Sequence, residues 1–535
     1  MRRVSLPTFL RDLGADHRAL RTLIAASVAL FASGLAPRVY APGLASVQSA
    51  VRSNDDSQLL LLLGAVLGAG MLLVGGVLGD ADGRRRIMIG ALAAMTVTAF
   101  AGIVVTDGPL FVVIQFVGVG GASIVLPMAL AGVATRYSGI PRATAIGIAY
   151  GAYGAAVAAG PVLLTLFGPS GARWPAYLAA VVAAAVALWI ARSSWGDLPV
   201  RDGADRAVPM ATATWAFGIV ILTAGLIGFQ GEGANLVRGA FSAVGLTLIV
   251  GGLVAEGRRR RLDPTRGRVE RRAVATALFV GFVIAYAQAS VMLQVPIYFQ
   301  LILGYGPFLA VVATLPFMAA LVVAGPIAGI LIGKFGPRSL VFMGVLAVGL
   351  GSVLIGLILR PGVGYVGFAL AFLMIGAGFV IAATVRTAII FASVPKGLPA
   401  SAAALNEVSV ALGSRAGLVV VTLLVTRLAL DSYAASLVGS PPGEVSAAVD
   451  SFQNVLVAIG LPQYGALVEG LVPANAEAYA FAYTDAVRTV LLSTGIITLI
   501  AAPIAAVALG PRDPLKTVWE HQEERAPRKD PAISS

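Results

Sequence analysis

The chain has 535 residues, of which 58% are hydrophobic and only 12% are charged, and its mean hydropathy is +0.89. Soluble domains carry roughly 25% charged residues, so too few charges are present to cover a surface that faces water. A soluble enzyme and a disordered chain are therefore excluded, and most of the apolar surface is expected to face lipid. No cysteine is present, which excludes disulfides and thiolate chemistry. Both histidines, His17 and His521, lie in charged terminal segments, so no imidazole is expected inside the membrane.

The formal net charge of +12 comes mainly from arginine. The basic residues cluster in short segments between long apolar runs, as they do where a membrane protein fixes its orientation. We therefore expect no nucleic-acid partner. With the N-terminus in the cytoplasm, 29 of the 38 basic residues fall on the cytoplasmic side, so both termini are predicted to lie there, in a bacterial inner (plasma) membrane. The first 21 residues contain no apolar run, so no cleavable signal peptide is expected.

Apolar runs of about 20 residues, the length that crosses the hydrocarbon core as a helix, recur along the chain. Strands of a β-barrel are excluded, because such strands alternate over about ten residues. The sequence predicts an all-α integral membrane protein with fourteen spans, numbered in chain order: 22–46, 59–78, 87–105, 110–135, 143–167, 175–190, 211–229, 239–255, 273–302, 308–332, 340–359, 366–391, 403–430 and 486–509.

These spans divide the chain into segments. Residues 22–190 form an amino-terminal six-helix bundle, and residues 273–509 form a carboxyl-terminal six-helix bundle. Residues 191–272 are the linker, with spans 7 and 8 and a basic loop, and the terminal segments 1–21 and 510–535 are expected in the cytoplasm. The long segment 431–485 is predicted to be external, and we interpret it as a cap over the outer mouth rather than a separate domain.

The two bundles share a sequence repeat. The loop after span 2 matches the loop after span 10 at four positions, with a constant offset of 253 residues: Gly76 and Gly329, Leu78 and Leu331, Gly83 and Gly336, Arg85 and Arg338. Transporter folds are often built from duplicated halves. The second bundle is therefore predicted to be a degenerate copy of the first.

The first of these loops carries a recognisable motif. From Gly76 it reads G-V-L-G-D-A-D-G-R-R, which resembles the cytoplasmic-loop signature of the major facilitator superfamily. The fourteen spans resemble the EmrB/QacA-type drug/proton antiporter branch of that superfamily. Gly160-Pro161 in span 5, Arg173-Trp174 before span 6 and Leu405-Asn406 in span 13 are similar to further motifs of the branch. The resemblance implies two six-helix bundles, alternating access, and export of hydrophobic or amphipathic small molecules in exchange for protons.

Two positions depart from that branch. In span 1, Ser33 stands where the resemblance expects an aspartate, and in span 4, Gln115 stands where it expects an arginine. Three alternatives therefore remain open: a lipid or hydrophobic-metabolite exporter, a facilitator without proton coupling, and a non-transporting membrane sensor or scaffold. No Walker loop, nucleophile elbow or metal-ligand set occurs, so we expect no enzyme activity, metal or cofactor. The expected partners are an amphipathic small molecule or lipid, protons and the bilayer, and the expected state is a monomer.

A gate is predicted in the loop after span 2, at Gly76, Asp80, Gly83, Arg84 and Arg85. The two glycines permit close helix approach and a tight reversal. Asp80 can meet Arg84 and the positive N-terminal end of a neighbouring helix, which the resemblance implies is span 13. Such a contact closes one side of a transporter in one state and breaks in the other. The alternative is that the arginines only set the topology.

Proton coupling is predicted for Glu407, with Arg386 and Arg415 as its charged neighbours. Among the 26 acidic residues, only Glu407 falls inside a predicted span. An ionisable group in a span is costly and is a functional candidate by default. The alternative is a structural ion pair, or a side chain that extends to the inner interface.

Substrate binding is predicted for span 9. Tyr286, Ser290, Gln294 and Tyr298 recur every four residues and form one polar stripe on an apolar helix. Uncharged hydrogen-bonding groups suit an amphipathic ligand, and Gln115 is assigned to the same role. The alternative is hydrogen bonding between neighbouring helices. The glycines of span 5, from Gly147 to Gly160, are interpreted as close helix packing.

Overall fold

The computed structural model is helical throughout the part of the chain that it describes. That part comprises residues 16–50, 68, 70–105, 108–167, 174–195, 214, 218, 221–222, 236–262, 271–360, 363–394, 399–437, 445, 448–452 and 476–510. Most of span 7, the external segment 431–485 beyond residue 437, and the tail after residue 510 lie largely or wholly outside these residues.

The described helices follow the predicted spans. In chain order they are α1 His17–Ala50, α2 Gly70–Ala81, α3 Arg84–Val104, α4 Gly108–Arg136, α5 Gly139–Phe167, α6 Trp174–Ser194, α7 Leu236–Leu262, α8 Arg271–Leu301, α9 Pro307–Val312, α10 Leu315–Ile358, α11 Tyr365–Ser393, α12 Pro399–Ser436 and α13 Ala476–Leu509.

Helix α10 contains nearly all of predicted span 11 and most of span 10, which begins in α9. The two helical segments meet at Gly336, whose φ of 75° and ψ of 161° are not helical, and Pro337 follows directly. A positive φ is accessible to glycine at little cost, which explains the reversal here. Ten of the described helices are long and apolar enough to cross a membrane, and α10 is one of them. The all-α membrane fold is confirmed, and the count of fourteen spans stays a prediction.

Two bundles form, one from each half of the chain. In the amino-terminal bundle, α1 packs against α4, α5 and α6, and α3 packs against α4 and α6. In the carboxyl-terminal bundle, α8 packs against α11, α12 and α13, and α10 packs against α11 and α13. Apolar side chains on the outer faces stay exposed, as in Trp189 and Val366, which suits contact with lipid.

The two bundles meet through α5 and α10. A Cβ atom built on Gly147 would overlap the carbonyl of Gly325, and one built on Gly151 would lie 3.1 Å from the carbonyl oxygen of Val322. The helix backbones therefore touch, which only glycine permits here. This close approach lies towards the end of the bundle where α4 gives way to α5 and where Asp80 is found; we name it the Asp80 end.

Candidate functional site

At the Asp80 end, the last turn of α2 holds the first turn of α12. The Asp80 carboxylate accepts hydrogen bonds from the backbone N–H groups of Ala400 and Ser401, at 3.0 and 2.8 Å. These N–H groups have no partner within the helix, and the N-terminal end of the helix dipole attracts negative charge. Asp80 belongs to the amino-terminal half and α12 to the carboxyl-terminal half, so this contact joins the two halves.

The other residues of the predicted gate surround this contact. A Cβ on Gly76 would lie 2.5 Å from the Cβ of Ala404, so the glycine lets α2 approach α12. Gly83, with a φ of 96°, is the N-cap of α3, and Arg84 and Arg85 are the first two residues of that helix. Arg84 acts electrostatically on Asp80 and donates to Thr135 Oγ1 at 3.3 Å. Arg85 donates to the carbonyl of Arg192, at 3.1 Å, within its own bundle.

Deeper in the interface, a second polar contact joins the halves. Tyr150 of α5 donates its hydroxyl hydrogen to Oε1 of Glu407 on α12. Arg386 of α11 lies 3.7 Å from the same oxygen, and Asn406 Nδ2 donates to it at 2.8 Å. Thr387 completes the set, with its Oγ1 3.0 Å from the Tyr150 hydroxyl. We name these five residues the interhalf cluster.

The interhalf cluster is shielded from solvent. Arg386 is 1% exposed, Glu407 6% and Asn406 0%. Breaking such a pair would leave an uncompensated buried charge, at a cost of about 3–5 kcal/mol. Arg386 also donates to the side chain and carbonyl of Asn406 and approaches Ser409, which fixes its guanidinium. The arrangement places one titratable carboxylate where its charge bears on a contact between the halves.

Comparison with known proteins agrees with this architecture. Residues 24–418, about three quarters of the chain, match the model of the major facilitator superfamily. The chain belongs to the major facilitator superfamily. It is similar to the tetracenomycin C resistance and export protein of Streptomyces glaucescens, at 25% identity over 98% of this chain and 96% of that protein.

Other relatives match a smaller part of this chain. The MFS-type transporter EfpA of Mycobacterium tuberculosis is 26% identical over 59% of this chain, which spans 58% of the length of EfpA. Among solved structures, the human organic anion transporter MFSD10 superposes with a TM-score of 0.58 at 14% identity, over 90% of this chain and 99% of that one. This likeness shows the fold alone.

The polar stripe of span 9 lies within the carboxyl-terminal bundle of this superfamily member. Gln294 is 3% exposed and accepts a hydrogen bond from Tyr483 of α13, at 2.9 Å. Tyr286 bonds to Thr494 of the same helix, and Ser290 donates to the carbonyl of Tyr286. Tyr298 is fully buried. In this conformation the stripe packs against α13, which matches the helix–helix alternative, and its substrate-binding role stays a prediction.

The two departures from the antiporter branch are both buried. Ser33 donates to the carbonyl of Leu30 in its own helix, at 3.0 Å. Gln115 is 0% exposed and donates from Nε2 to the hydroxyl of Tyr177, at 2.7 Å. Gln115 thus joins α4 to α6 inside the amino-terminal bundle. Its predicted contact with substrate requires another conformation.

Arg415 lies apart from the interhalf cluster. The sequence predicts both Arg386 and Arg415 as charged neighbours of Glu407, and the structure places Arg386 against the carboxylate, at 3.7 Å. Arg415 is exposed, and the described residues provide it with no hydrogen bond or ion pair.

Sequence analysis missed Tyr150. This residue lies between Gly147 and Gly151, in the run that was interpreted as close helix packing. A tyrosine hydroxyl in the middle of a run of glycines is a signal of a polar contact, because close helix packing alone does not require a hydroxyl. The sequence does not show that 257 residues further on a carboxylate faces this hydroxyl.

Proposed function

We propose that this protein exports hydrophobic or amphipathic small molecules across the bacterial inner membrane by alternating access, in exchange for protons. The interhalf cluster carries the proposal, because it places the Glu407 carboxylate against a hydroxyl of the opposite half. A relative named as a resistance and export protein, matched over nearly the full chain, supports export.

The cluster suggests how a proton acts. When Glu407 is ionised, it accepts a charge-assisted hydrogen bond from Tyr150 and pairs with Arg386. Charge-assisted bonds are roughly twice as strong as neutral ones, so the ionised carboxylate holds the halves together. Protonation removes that charge and weakens the hydrogen bond from Tyr150. Arg386 then keeps its hydrogen bond to Asn406 but no longer pairs with a charged carboxylate. The halves then separate more easily at the Asp80 end.

The direction of exchange follows from the predicted orientation. With the Asp80 end in the cytoplasm, the described conformation is closed to the cytoplasm by the Asp80 contact and by the touching backbones of Gly147 and Gly325. A proton that reaches Glu407 from outside loosens this closure. The protein then opens inward, releases the proton, binds substrate and closes again. Proton entry is thereby coupled to substrate exit.

Transport by the purified protein in proteoliposomes tests this proposal. Efflux of lipophilic cations, neutral aromatic compounds and labelled lipids is measured with and without an imposed pH gradient. The proposal expects efflux of small amphipathic compounds that an inward proton gradient accelerates. Equal efflux with and without the pH gradient would contradict proton exchange and indicate a facilitator without proton coupling. Movement of lipids alone would indicate the lipid exporter, and no movement at all the sensor or scaffold.

A further inference from the structure

Arg415 lies on the face of α12 that is remote from α8. On the opposite face, Gly413 and Gly417 touch α8, where a Cβ on Gly417 would lie 2.5 Å from the carbonyl oxygen of Tyr286. At 100° per residue, Arg415 is rotated by about 160–200° from both glycines. The side chain therefore leaves the helix on the side remote from α8.

That side of α12 is the one that meets the amino-terminal half. Ala404 and Val408 are both 1% exposed and pack with Leu72 and Leu73 of α2. Arg415 follows Val408 by seven residues, which is two turns and about 10 Å further from the Asp80 end on the same face. Val408 is buried between the halves, whereas Arg415 is exposed. Arg415 therefore lies beyond the buried contact, on an accessible part of the face that meets the amino-terminal half.

The charge of Arg415 has no protein partner within the described part of the chain. Arg386, another arginine inside a predicted span, is 1% exposed and bonded to Asn406 and Ser409. The carboxylate of Glu407, eight residues away, is already paired with Arg386. Because a charged side chain within a span is costly, an unpaired one marks a binding or transport role.

The surroundings of Arg415 indicate what binds there. Towards the Asp80 end, the side of α12 that carries Arg415 packs with apolar side chains of the amino-terminal half, and Leu126, Ala411 and Leu412 border this contact. An apolar wall with one cation matches a ligand that has an apolar body and one anionic group. The guanidinium presents paired donors that fit the oxygens of a carboxylate, sulfonate or phosphate.

We propose that Arg415 binds the anionic group of an amphipathic ligand on the face of α12 that meets the amino-terminal half, so that the substrates include amphiphiles with one negative charge. This inference rests on the proposed export function and specifies its substrate class. It also gives Arg415 a role separate from that of the Glu407–Arg386 pair.

Binding of two probes with the same ring system tests the inference. The protein is placed in phosphatidylcholine nanodiscs, and energy transfer from tryptophan to pyrene reports binding of anionic 1-pyrenesulfonate and neutral 1-pyrenemethanol. We expect the anion to bind about tenfold more tightly or better, since a hydrogen bond to a charged group contributes about 1.5–3 kcal/mol. Arg415→Gln should abolish this preference and Arg415→Lys should retain part of it. Arg427→Gln, at an exposed arginine further along α12, should leave it unchanged.

Two results would overturn the inference: an anion preference that survives Arg415→Gln, or one that Arg427→Gln removes equally. Binding of pyrenemethanol to each variant shows that the protein is folded. Adding phosphatidylglycerol identifies the source of the anion. If Arg415 binds a lipid phosphate, phosphatidylglycerol displaces pyrenesulfonate. If Arg415 binds only free anions, the binding of pyrenesulfonate is unchanged. Efflux of the same two probes is measured separately in proteoliposomes. If pyrenemethanol is exported there but no anion preference exists in the binding experiment, this inference fails and the proposed function stands. If neither probe is exported, the proposed function fails.

Discussion

Removing the charge of Asp80 should open the protein at the Asp80 end. In Asp80→Asn one neutral oxygen remains to accept the two N–H groups of Ala400 and Ser401, which lie 3.0 and 2.8 Å from the native carboxylate. One bond is lost and the other becomes neutral, which costs the closed state about 1.5–3 kcal/mol. The ratio of closed to open molecules should fall by a factor of about 10–150. Transport should be abolished while folding is retained.

A single cysteine reports this shift, because the native chain has none. Val408→Cys places a thiol at a position that is 1% exposed between the halves. Its reaction with a charged, membrane-impermeant thiol reagent should be at least about tenfold faster when combined with Asp80→Asn than when Asp80 is retained. Asp82→Asn is the matched control, since Asp82 is exposed and two residues away. Equal rates with and without Asp80→Asn, or equal acceleration by Asp82→Asn, would refute the reasoning.

Three further substitutions probe the bundle contacts. Gln294→Ala should lower the free energy of unfolding by about 1–3 kcal/mol, because Tyr483 loses its hydrogen bond to Gln294. A weakened substrate affinity with unchanged thermal stability would instead favour a role in lining the substrate cavity. Gly147→Val should prevent closure and stop transport, since its Cβ would overlap the facing helix backbone; transport at the native rate would contradict this. Tyr150→Phe removes the hydrogen bond to Glu407 and should reduce the dependence of efflux on the pH gradient at least about threefold. An unchanged dependence on the pH gradient would exclude Tyr150 from proton coupling.

Much of the fold could be predicted because hydrocarbon imposes a simple rule on sequence. Apolar runs long enough to cross the membrane appear as helices, and the glycine at 336 marks the reversal between spans 10 and 11. The neighbour of Asp80 could be named because the resemblance to the superfamily implies span 13. The charge of a carboxylate complements a helix N-terminus, but this physical argument alone does not select the helix.

The direction in which a polar face points was harder to predict. Helical periodicity aligned Tyr286, Ser290 and Gln294 but did not distinguish a cavity from a neighbouring helix, and the structure places Tyr286 and Gln294 against α13. The same limit applies to the arginines near Glu407. Arg386 lies on another helix and reaches the carboxylate, whereas Arg415 on the same helix does not. Sequence spacing orders residues along one helix, and tertiary packing decides which helices face each other.

The central claim is that protonation of Glu407 couples the proton gradient to export. Glu407→Gln keeps the shape of the side chain and removes its titration. In proteoliposomes loaded with a compound that the native protein exports, we measure efflux driven by a pH gradient and exchange of labelled for unlabelled compound without a gradient. We expect Glu407→Gln to lose the gradient-driven efflux and to retain the exchange. Gradient-driven efflux at the native level in Glu407→Gln would contradict the claim.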